Sequence, residues 1–134
     1  MTELIITTGL TKFYGEHRGV TDIDLGVGEG QVFGLLGPNG SGKSTTIKMI
    51  LGLLHKTSGR LAVFGKAPSE VSIKKHIGFL PENPYFYTFL TARELLRFYA
   101  RLSGVESAQL AQRVEASIEM VGLEHAPDER LATY

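Results

Sequence analysis

The run Gly37-Pro38-Asn39-Gly40-Ser41-Gly42-Lys43-Ser44 satisfies the spacing G-x-x-x-x-G-K-[ST], and no other feature of the chain restricts its possible folds as far. The residue types follow from what such a loop must do. Polyphosphate oxygens have to be met by converging backbone amides, and glycine permits both the dihedrals and the close approach. A helix starting near Ser44 adds unpaired amides and the positive end of its dipole. Lys43 supplies a mobile point charge for the outer phosphates, and Ser44 offers a hydroxyl oxygen to Mg²⁺, a hard cation. The flanks agree. Residues 31–36 are almost wholly apolar, which predicts a strand buried on both faces of a sheet. Past the loop, Ile47, Ile50, Leu51 and Leu54 recur at helical spacing. A chance match in a glycine-rich turn is the competing reading, and this strand–loop–helix context weighs against it. The overlapping Gly40-Ser41-Gly42-Lys43-Ser44-Thr45 lacks the third glycine of a dinucleotide fingerprint. The loop therefore predicts binding of a nucleoside triphosphate with magnesium.

The rest of the composition mostly excludes. With 134 residues the chain has room for one domain with a modest core. Fourteen basic and fourteen acidic residues cancel, so no overall charge recruits nucleic acid or an anionic membrane surface. Phosphate affinity must come from a local arrangement. The absence of cysteine excludes disulfides and thiolate metal sites and fits a reducing, cytosolic compartment. His17, His55, His76 and His125 lack metal-ligand spacing. The first residues have neither the basic start nor the apolar run of a signal peptide, and no apolar stretch is long enough for a membrane span.

A boundary is expected near Tyr87. Before it, residues 4–8, 20–27, 31–36, 60–64 and 77–80 read as strands bounded by glycine, proline or polar residues. After it the chain reads as helical. Thr91-Ala92-Arg93-Glu94 is a capping box. Leu95, Phe98, Tyr99 and Leu102 form the expected apolar face of the helix that follows, with Gly104 at its end. A second helix is predicted over residues 107–121, striped by Leu110, Val114, Ile118 and Val121.

The loop alone does not separate kinases, GTPases and transport ATPases; its surroundings do. Leu35-Leu36 followed by the loop and Thr45-Thr46 resembles the Walker A segment of ABC-type ATPases. Similar likenesses lie in Gly52-Leu53-Leu54-His55-Lys56-Thr57-Ser58-Gly59-Arg60, Leu10-Thr11-Lys12-Phe13-Tyr14-Gly15 and Ile77-Gly78-Phe79-Leu80-Pro81-Glu82. The resemblance spans the chain and is to ATP-binding subunits of bacterial exporters. It implies an α/β fold of the P-loop NTPase type, incomplete here. Residues 1–87 would form a β-rich nucleotide-binding core with the A-loop, P-loop and Q-loop positions, and 88–134 the start of a helical subdomain.

The resemblance also implies roles. Gly37, Pro38, Asn39, Gly40, Ser41, Gly42, Lys43, Ser44 and Thr45 would hold ATP, and Ser44 with Glu82 would meet Mg²⁺. Tyr14 matches the aromatic residue on which the family stacks adenine, against the alternative of a core or turn tyrosine. Glu82 stands where the family generally has glutamine, against the alternative of a solvated carboxylate between Pro81 and Pro84. Tyr85, Phe86 and Phe89 either receive a helix of the membrane subunit or fill the seam between sheet and helices. Implied partners are a membrane-spanning transporter subunit and a second ATPase copy in a head-to-tail dimer, with no nucleic acid. The implied location is cytoplasmic, peripheral at the inner face of the cell membrane.

Past Tyr134 the family continues into its signature motif, the acidic Walker B strand and the switch histidine, none of which is found in this chain. The expectation is an energy-coupling ATPase whose first portion, taken alone, binds Mg-nucleotide without turnover. The alternatives are an ABC-type ATPase not tied to transport, a non-catalytic nucleotide-binding remnant, and a small kinase.

Overall fold

The computed structural model describes residues 3–133. Met1, Thr2 and Tyr134, where the reading of the chain's start and the break in the resemblance fall, lie outside the described residues. The chain forms two compact units, Met1–Gly78 and Phe79–Tyr134.

The first unit is built on a long hairpin. Strands β1 (Glu3–Tyr14) and β2 (His17–Gly28) run antiparallel with Tyr14 opposite His17. Gly15, with φ of 60°, supplies the positive dihedral that a two-residue hairpin turn needs at its first central position. The register slips between Thr7 and Leu10. There the buried Thr7 hydroxyl donates to the Ile23 carbonyl at 2.8 Å and accepts from the Leu25 amide at 3.0 Å, filling bonds the irregular ladder leaves open. Strand β3 (Ser58–Val63) pairs antiparallel with the other edge of β1, giving the order β2-β1-β3. Gly59 makes that pairing possible: it has φ of 83°, and a Cβ there would stand 2.1 Å from the Gly9 carbonyl oxygen. Helix α1 (Lys43–Ile50) lays Met49 against Leu10 and Val20, with Ile23, Leu54 and Leu61 around them. A short helix, α2 (Val71–Lys74), lets the Lys74 ammonium donate to the Leu51 carbonyl at the C-terminal end of α1.

Two predicted strands are absent. Residues 31–36 are irregular, with Val32 and Leu36 more than nine-tenths exposed, and residues 77–80 are likewise unpaired. An apolar run becomes a strand only when another strand bonds to it. Among the described residues neither segment has such a partner.

In the second unit, α3 (Ala92–Leu102) and α4 (Ser107–Met120) pack through Leu110, Val114 and Ile118 against Leu96, Ala100, Val105 and Leu123. The predicted face of α3 is shifted. Leu95 is buried, but Phe98 and Tyr99 stay partly exposed and Leu102 mostly so, and Leu96 and Ala100 meet α4 instead. Val121, expected in the α4 stripe, is exposed past the helix end. The capping box forms as predicted: the Glu94 amide donates to the Thr91 hydroxyl at 3.1 Å, and the Thr91 amide to the Glu94 carboxylate at 2.9 Å. Arg93, the second residue of α3, donates from Nε to Asp128 at 2.8 Å, pairs with Glu115, and gives its amide to the Pro127 carbonyl. These contacts pin residues 127–132 beside the start of α3, helped by Leu131 and Ala132 amides donating to Leu90 and Thr88. Thr91→Ala is expected to lower the stability of this unit by about 1 kcal/mol, read as a shift in its urea midpoint at unchanged slope.

Candidate functional site

Residues 37–44 form an open turn leading into α1. The Ser41 amide donates to the Pro38 carbonyl at 3.2 Å, and Gly40, with φ of 81°, turns the chain back. Gly42 ends the loop at φ 92°, ψ 7° as the residue preceding the helix. A side chain there would place its Cβ 2.0 Å from Val20 Cγ1, so the loop rests directly on β2. The first helical bond runs from the Thr46 amide to the Gly42 carbonyl at 2.9 Å, reinforced by the buried Thr46 hydroxyl donating to the same oxygen at 3.0 Å. Amides ahead of Thr46 are therefore not consumed by the helix, and no acidic side chain occupies its first turn.

Lys43 folds back across the loop. Its ammonium donates to the Gly37 carbonyl at 2.6 Å and to the Pro38 carbonyl at 2.7 Å. This fixes a positive charge in the mouth of the turn. The Ser44 hydroxyl is exposed at the start of the helix.

Tyr14, at the end of β1, comes to the same place. Its hydroxyl lies 3.4 Å from that of Thr45, and half of the residue remains exposed. Lys12 Nζ stands 5.4 Å from the ring centroid. Gly19 on β2 is bare because the ring fills its space: a Cβ there would sit 2.9 Å from the tyrosine ring and 2.8 Å from the Lys12 carbonyl oxygen. Structure thus brings together Tyr14, Lys43, Thr45 and the glycines of the loop. Sequence reasoning missed Gly19, Val20 and Lys12. Counting back along the two strands from the Gly15 turn was the signal that could have found them.

Glu82 belongs to the second unit, exposed beside Pro81. In that unit Tyr85 is 95% exposed. Phe79, Leu80, Pro84, Tyr85, Phe86 and Tyr99 border a cavity of about 360 Å³. Tyr87 contacts Phe89 and Phe98 ring to ring at 5.8 Å each.

The glycine turn fits a polyphosphate: the amides just ahead of Thr46 are not taken up by the helix, and a cation stands in its mouth. For magnesium the loop offers the hard oxygen of the exposed Ser44. That suits an ion that keeps waters and takes its remaining ligands from bound phosphate. Among the described residues no three His, Cys, Asp or Glu side chains gather as a metal site of their own.

A family model described as ABC transporter matches residues 20–134. The chain is 41% identical over 127 residues to a bacitracin transport ATP-binding protein of Bacillus licheniformis, covering 93% of this chain and 40% of that one. It is 38% identical over 133 residues to a Nod factor export ATP-binding protein of Cupriavidus metallidurans, covering 96% and 43%. Among solved structures, an ATP-binding subunit of an ABC transporter superposes with a TM-score of 0.83 at 28% identity, over 98% of this chain and 55% of that one. The chain thus spans about two fifths of the length of these curated relatives.

Proposed function

This chain belongs to the ABC transporter family, and we propose that it supplies the ATP- and magnesium-binding part of the energy-coupling ATPase subunit of a membrane exporter. The observation that carries the reading is the glycine turn at the start of α1, with the Lys43 ammonium in its mouth and Tyr14 beside Thr45. In this reading residues 37–45 hold the phosphates, Ser44 meets the magnesium, and Glu82 adds a carboxylate toward it. Magnesium, when bound, neutralises charge that develops on the phosphates. Tyr14 stacks on the base. Residues 1–87 serve as the nucleotide-binding core and 88–134 as the start of the helical subdomain.

The name of one relative, for Nod factor export, supports an exporter, and that of another, for bacitracin transport, supports a transporter. The partners are a membrane-spanning subunit and a second ATPase copy, with the chain working from the cytoplasmic face. No helix among the described residues is long and apolar enough to cross a membrane. The exposed aromatic surface around Tyr85 is where the membrane subunit would contact it. Hydrolysis belongs to the whole subunit, and this chain by itself binds without turnover.

Calorimetric titration with Mg-ATP tests the proposal. Saturable binding at one site is expected, and its absence would sink the loop reading. Tyr14→Ala is expected to weaken binding about tenfold, the loss of one stacked base. An unchanged affinity would remove Tyr14 from the site. Steady ATP hydrolysis by the purified chain, lost in Lys43→Ala, would overturn the claim of binding without turnover.

A further inference from the structure

Arg18 has no part in the site as built so far. It stands on β2 opposite Phe13, next to the Tyr14–His17 pair that closes the hairpin. With Gly19, Val20 and Thr21 it forms one wall of a cavity of about 280 Å³ whose other wall includes Gly40 and Ser41 of the loop. Of the three cations around the loop, two are engaged. Lys43 is bonded to two carbonyls, and Lys12 lies over the Tyr14 ring. The ion pairs among the described residues all involve Lys66 or Arg93, which leaves the exposed Arg18 guanidinium without a carboxylate. An uncompensated guanidinium in a cavity shared with a glycine turn is a receptor for an anion held in that turn.

We propose that Arg18 is a second cationic contact of the bound nucleoside di- or triphosphate, reaching the phosphate chain from the β2 side of the loop while Lys43 meets it from the helix side. The inference rests on the reading of residues 37–44 as the phosphate-binding loop. The planar fork of arginine suits two phosphate oxygens at once, which an ammonium does not. Such a contact addresses the phosphates and is blind to the base. It is thereby separable from Tyr14, whose contribution depends on the base. It also ties the β1–β2 hairpin to the ligand, so that the two strands and the loop close on one anion.

The test is titration of Mg-ATP and Mg-GTP into the purified chain and its Arg18→Gln and Arg18→Lys variants, at low and at moderate salt. Arg18→Gln is expected to weaken both nucleotides by about fivefold and to flatten the salt dependence, with Arg18→Lys recovering part of the loss. Unfolding of Arg18→Gln followed by circular dichroism is expected to match the wild type. A shifted transition accounting for the lost affinity would assign Arg18 a structural role and overturn the proposal. If the wild type binds, Lys43→Ala does not and Arg18→Gln is unchanged, Arg18 alone leaves the site. If the wild type binds no nucleotide, the loop reading falls and takes Arg18 with it.

Discussion

Lys43→Ala is expected to lower the affinity for Mg-ATP by about a hundredfold, roughly 3 kcal/mol, while leaving the unfolding transition nearly where it was. The ammonium stands where it meets the Gly37 and Pro38 carbonyls at 2.6 and 2.7 Å. Removing it subtracts charge-assisted contacts with the phosphate and leaves two carbonyl oxygens facing an anion with nothing between them. Both effects act on the bound state. Stability is spared because the lysine bonds lie at an exposed site, where water replaces them. Lys43→Arg is not expected to rescue binding, since a rigid fork does not fit between two carbonyls set for a point charge. Calorimetry on the three proteins checks this, and an alanine variant within threefold of the wild type would remove Lys43 from the site.

Gly42→Ala is expected to act on fold and site together. An L residue at φ 92° costs about 1–2 kcal/mol, and forcing a methyl onto Val20, 2.0 Å away, adds about 1–3 kcal/mol. A loss of roughly 2–5 kcal/mol is a large share of the stability of a small unit. Thermal unfolding should show a lowered transition, and Mg-ATP binding should disappear as the loop lifts from β2. Gly40→Ala is the control. It also has a positive φ, of 81°, but nothing lies within 4 Å of its Cβ position, so only the conformational cost applies. Val20→Ala opens space in the core yet should relieve Gly42→Ala, and the double-mutant cycle should show coupling of the relieving sign. Additive effects at the two positions would mean that the contact does not decide the outcome.

What could be read from sequence was what is encoded locally. The glycine loop leading into α1, the Thr91–Glu94 capping box and the α4 stripe through Leu110, Val114 and Ile118 need only a few neighbouring residues to be expressed. Residues 31–36 and 77–80 misled because an apolar run records a wish for burial and not the presence of a strand to bond with. The face of α3 misled for a similar reason: helical spacing admits several stripes, and the partner, here α4, chooses Leu96 and Ala100 over Phe98 and Tyr99. Lys12, Arg18, Gly19 and Val20 are placed beside the loop by the β1–β2 register, including its bulges, which counting back from the Gly15 turn recovers only once the pairing is known. Tyr14 could be picked out only through resemblance; its approach to Thr45 is a product of the same register.

Residues 31–36 bear on how the loop is governed. The segment joins β2 directly to Gly37 without bonding to any strand among the described residues, so the loop is anchored by β2 beneath Gly42 and by α1 after it, but not from the side on which it begins. A strand that paired with this segment would brace the loop on the side where it begins. By reciprocity, anything that zips along residues 31–36 should tighten nucleotide binding by the same factor as nucleotide tightens the zipping. The stretch that reads in sequence as a buried strand is the approach to Gly37 that no strand among the described residues holds.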